Sequence, residues 1–130
     1  MLKDIKTLVN GLKEIKSEKN EKYEIFKVCI QLHNEIVVPY EATGQKISAI
    51  EAIEVEESFN TCIKYFMDYA EGLEAACEQV KECKTLNPCF HILLNATKTL
   101  YFEVLEILSQ TIDIKIALDP IIEECKKEIC

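Results

Sequence analysis

Apolar side chains recur at intervals of three and four along nearly the whole chain, and period-two alternation is scarce, so the pattern predicts an all-α protein. Leu2, Ile5, Leu8 with Val9, Leu12 and Ile15 form the stripe of a first helix that ends between Ser17 and Asn20. Asn20 suits the N-cap of a second helix, whose stripe is Tyr23, Phe26, Cys29 with Ile30, His33, and Ile36 with Val37. Pro39 is expected to end that helix, because its ring excludes the preceding residue from helical geometry. A loop over residues 40–47, containing Gly44, follows.

Ser48 and Glu51 have the spacing of a capping box, and Glu54, Glu56 and Glu57 gather near the end of a helix that favours negative charge. A third helix is therefore predicted from Ser48 to about Lys84, with Phe59, Cys62 with Ile63, Phe66, Tyr69 with Ala70, Leu73, Ala76 with Cys77, and Val80 along its apolar side. Asn87-Pro88 reads as an N-cap followed by proline at the first helical position, which leaves a short connection and predicts that helices three and four form an antiparallel hairpin. The fourth helix presents Phe90, Leu93 with Leu94, Thr97, Leu100 with Tyr101, Val104, Ile107 with Leu108, Thr111 and Ile114. Asp119-Pro120 repeats the cap-and-proline signal and predicts a short last helix over residues 120–130. The expected architecture is an antiparallel bundle of four main helices plus a short C-terminal helix.

With 130 residues, 48% of them apolar, the chain can fill one core, which predicts a single helical-bundle domain over residues 1–130. The net charge is −8 and every one of the 15 basic residues is lysine. An acidic surface without arginine is a poor partner for a polyanion, so no nucleic acid is expected. The longest stretch without Asp, Glu, Lys or Arg, residues 85–97, is too short and too polar to cross a bilayer, so no membrane insertion is expected. The N-terminus lacks the pattern of a signal peptide. The protein is thus expected to be cytoplasmic if this is the full precursor, and secreted if it is a mature form.

Seven cysteines cannot all pair within one monomer. At about 1.5 Å of rise per residue, Cys83 and Cys89 fall beside the hairpin connection, whereas Cys62 lies roughly 35 Å from it, at the height of Cys29, Cys125 and Cys130. Two disulfides are therefore candidates: Cys83 with Cys89, and Cys125 or Cys130 with Cys62 or Cys29. The alternative is free thiols, which pack as small apolar groups. Cys29 and His33 share a helical face, yet the cysteine spacings differ from the Cys-x₂₋₄-Cys pairs of structural zinc sites, so no metal or other cofactor is predicted. No third group orients the pair and no phosphate-binding loop is visible, so no catalytic residue is assigned and the chain is expected not to be an enzyme.

Two functions fit what is left. The first is a protein–protein interaction module working through self-association, because Leu93, Leu100, Ile107 and Ile112 widen the apolar side of the fourth helix beyond one seam. The second is a secreted, disulfide-braced carrier of a small hydrophobic ligand held between helices, lined by Phe66, Tyr69, Leu73, Phe90, Leu94 and Tyr101. In size, acidity, helicity and cysteine content the chain resembles small secreted odorant carriers in bulk. It lacks their Cys-x₃-Cys element, and none of their residues is carried over.

Overall fold

The computed structural model of the chain describes residue 5 and residues 7–10, 21–82 and 88–127. Among these the protein is helical with no strand. Residues 5 and 7–10 belong to α1, and α2 (Glu21–Thr43), α3 (Ala49–Glu82) and α4 (Pro88–Lys126) follow. Pro88 opens α4, as the cap signal predicts, while Asn87 lies outside the described residues, as do residues 11–20 with the end of the first predicted helix.

Each helix forms around a buried 3–4 stripe. Ile25, Cys29, Leu32 and Ile36 on α2 meet Ala52, Val55, Phe59, Cys62 and Phe66 on α3 and Ile107, Leu118, Ile121, Ile122 and Cys125 on α4 in one cluster, which Ile5 and Val9 of α1 join. α3 and α4 make the largest contact, α2 packs chiefly on α4, and α2 touches α3 least. Lys126 near the end of α4 binds Glu56 early in α3, its Nζ 3.1 Å from the carboxylate.

The start of α3 is fixed as expected. The Ser48 hydroxyl donates to the Glu51 carboxylate at 2.8 Å and accepts the Glu51 N–H at 3.2 Å, while the Ser48 carbonyl takes the Ala52 N–H at 2.9 Å.

Two expectations built on proline fail. Pro39 does not end α2; the helix runs on to Thr43, so the connection shortens to residues 44–48. Gly44 stops it instead, at φ +73°, with its N–H donating to the Tyr40 carbonyl at 2.8 Å. Likewise Asp119-Pro120 does not start a separate short C-terminal helix, because α4 continues through Pro120 to Lys126. The physical reason is burial. A helical proline costs about 3 kcal/mol, whereas keeping Leu118, Ile121, Ile122 and Cys125 on one helical face buries four side chains, the aliphatic three at about 1.5–3 kcal/mol each.

The phase of α2 also differs from the expected one. Tyr23 and Ile30 are exposed and His33 is only half-buried, whereas Ile25 and Leu32 take the core positions. Tyr23 faces water because its hydroxyl reaches Glu103 of α4 at 3.0 Å, and the Lys22 ammonium lies 4.3 Å from the centre of its ring.

Candidate functional site

α2 has 23 residues against 34 in α3 and 39 in α4, so it spans roughly 35 Å beside partners of roughly 50–60 Å. Beyond Phe66 the only buried apolar side chains described on α3 are Ala70 and Cys77, and none is described on α4 before Val104. The connected ends of α3 and α4 therefore carry apolar side chains that the core does not absorb. On α4 they include Ile92 at 70% exposure and Leu93 at 52%.

A second uncovered region runs along the middle of α4, on the face opposite Val104, Ile107, Thr111 and Leu118. Phe102 is 65% exposed, Ile112 37% and Ile116 62%, with Leu105 half-buried and Ser109 exposed between them. Their spacing is three, four, three and four, so all five point to one side. The stripe contains no charge between Lys98 and Asp119, while Glu106 and Asp113 lie on its flank. Phe102 is steadied by Tyr101, whose ring centre lies 5.7 Å away. Uncovered apolar stripes of this kind occur at protein-interaction, membrane and ligand-binding surfaces.

The thiols occupy the other side of α4. Cys29, Cys62, Cys77 and Cys125 are buried, and none of the four forms a disulfide. The expected bridge from Cys125 to Cys62 or Cys29 is therefore not formed: these sulfurs fill small apolar positions in the core. Cys29 and Cys62 instead share a hydrogen bond across α2 and α3. That bond, then burial and the neighbour's charge, pushes the Cys29 thiol well above its ordinary range. Cys62 moves down, because Cys29 hydrogen-bonds to its thiolate. Cys83, Cys130 and the side chain of Cys89 lie outside the described residues. Among the described residues no three His, Cys, Asp or Glu side chains come together as metal ligands, and His33 Nδ1 lies 3.4 Å from the Asn34 amide oxygen.

Of the residues expected to line a ligand cavity, Phe66 is fully buried in the core and packs edge-on against Tyr65. Tyr69, Leu73, Leu94 and Tyr101 are half-buried, and the side chain of Phe90 lies outside the described residues. A cavity elsewhere, between Ile5, Pro39 and Ile47, has a volume of about 10 Å³, room for about one water.

Of the four residues expected to widen α4, Leu93 and Ile112 are exposed and Leu100 is half-buried, but Ile107 belongs to the core. Phe102 and Ile116 are missing from that expectation. The charge-free 3–4 spacing from Phe102 to Ile116 was the signal that could have found them.

No family model, no curated protein and no solved structure compared with the chain matches it. The surface offers an apolar stripe with charges at its two ends and no cluster that could bind a metal among the described residues.

Proposed function

We propose that this chain is a non-enzymatic helical module that binds protein through the exposed face of α4, with α3 and α4 acting as an antiparallel hairpin within one domain. The observation that carries the reading is the stripe Phe102, Leu105, Ser109, Ile112 and Ile116, which is uncharged, apolar except for Ser109, and exposed except for the half-buried Leu105, while the opposite face of the same helix is packed. A monomer gains nothing by exposing Phe102 and Ile116 on one line, and each methylene removed from water by a partner is worth about 0.8 kcal/mol. Helix-in-groove and helix-on-helix recognition both read such 3–4 anchors.

A photo-crosslinking amino acid placed at position 102, and in a control chain at the exposed Glu74 of α3, tests the reading. Adducts of defined mass formed from position 102 and not from position 74 are expected, with purified protein or in a cell extract. Equal adducts from both positions, or none, contradict it.

The second reading is a carrier of a small hydrophobic ligand. It is favoured by Tyr69, Leu73, Leu94 and Tyr101, which are half-buried rather than closed into the core. Native mass spectrometry in the presence of a fluorescent fatty acid separates the two. The interaction module shows the 14.9 kDa chain or a whole multiple of it with no ligand mass added, whereas a carrier gains one ligand per chain.

A further inference from the structure

Resting on that interaction reading, we infer that the occupant of the α4 face is a second copy of this chain, packed antiparallel about a two-fold axis through Ser109. The stripe is symmetric around that residue to within one position. Leu105 stands four and Phe102 seven positions before Ser109; Ile112 stands three and Ile116 seven after it. An antiparallel copy therefore places Phe102 level with Ile116, Leu105 within one residue, about 1.5 Å, of Ile112, and Ser109 against itself. The large side chains meet at the outer layers, and the small one at the centre lets the helix axes approach. This is the self-complementary patch that a two-fold interface requires, in which each residue's partner sees the same contact returned.

Charge decides the direction. Continuing the same spacing brings Lys98 to one end of the stripe and Asp119 to the other. Antiparallel packing sets Lys98 of one copy opposite Asp119 of the other at both ends. Parallel packing sets lysine against lysine and aspartate against aspartate. Lys98 is half-buried and has no ion-pair partner among the described residues, while Asp119 is held by Lys115 at 3.2 Å with its side chain still 43% exposed. The seam from Phe102 to Ile116 is about 21 Å long, four helical turns. Against it stand the flanking Glu106 and Asp113, which antiparallel packing brings near each other across the interface, and the net charge of −8 per chain. The association is accordingly weak, in the range of about 1–100 μM rather than nanomolar.

Sedimentation equilibrium of the full chain from micromolar to millimolar concentration tests this. The wild type is expected to pass from 14.9 kDa to twice that mass. Ser109→Glu, which puts two like charges on the axis, is expected to abolish the dimer. Lys98→Glu and Asp119→Lys are each expected to weaken it about tenfold, and the double variant to recover to within about threefold, since attraction across the seam is restored. Circular dichroism melting at a concentration where the chain is monomeric checks that each variant folds. A dimer indifferent to Ser109→Glu and to the charge reversals overturns the inference, because another face then carries it. A wild type that stays monomeric also overturns it. In that case a position-102 adduct to a different protein leaves the interaction reading standing, and the absence of any adduct removes both.

Discussion

At the residue scale the buried thiols are the plainest consequence of the packing. Cys29 and Cys125 have no exposed surface and Cys62 almost none, so alkylation under native conditions is expected to leave all three unmodified, with complete modification in denaturant. Rapid native labelling of Cys29 contradicts the core as described. Cys29 keeps its proton in the folded state beyond its ordinary value of 9.0, while in the unfolded chain it ionises near that value. For Cys29 taken alone the unfolded state binds fewer protons above about pH 9 and stability is lost as pH rises, whereas Cys62, lowered in the folded state by Cys29, contributes in the opposite sense. Phe66 separates the core from the ligand-lining reading in the same way: Phe66→Ala is expected to cost about 3–5 kcal/mol of stability, because the ring is fully enclosed. A cost below about 1 kcal/mol is what a cavity-lining aromatic with space beside it gives.

At the element scale the helix ends were only partly legible in the sequence. The capping box at Ser48 and Glu51 and the proline at the start of α4 were readable because each acts through near neighbours. Pro39 and Pro120 misled for the opposite reason. Their local preference to stop a helix is real, but Leu118, Ile121 and Cys125 are held by residues far away in sequence, and that gain is invisible in a local pattern. Two substitutions test the account. Pro120 is exposed, so Pro120→Ala restores a donor for the Ile116 carbonyl without losing packing, and it is expected to stabilise the protein by about 1–3 kcal/mol. An unchanged or lowered melting point contradicts a continuous α4. At Gly44 nothing lies within 4 Å of an added Cβ, so only the positive φ opposes a side chain there. Gly44→Ala is expected to cost about 1–2 kcal/mol by that backbone effect alone. Calorimetry of both variants gives the values.

At the scale of the whole molecule, the helical class and most of the α3 stripe followed from the 3–4 periodicity, which is set by geometry and needs no partner to be read. The phase of α2 did not follow. Cys29, Ile36 and Val37 were read correctly as core, but the rest of the stripe could be drawn through Tyr23, Phe26 and His33 or through Ile25 and Leu32, and what selects the second is the contact with α4. The proposed interaction surface had the same difficulty in reverse. A broad apolar α4 was visible in the sequence, but deciding which side the core uses required Ile107 to be seen inside and Phe102 and Ile116 outside. The cysteines were placed near one another correctly in the case of Cys29 and Cys62, whereas their bonding state depends on sulfur geometry that helical heights do not carry.

The central claim is that the molecule ends its packing on one face of α4 and meets another copy of itself on the opposite face. A backbone amide spectrum recorded over a dilution series measures this residue by residue. The account predicts concentration-dependent shifts confined to residues 98–119 of α4, with the amides around Phe59 and Leu32 unmoved. Shifts centred on any other element, or a spectrum that does not change from the millimolar to the micromolar range, contradict it.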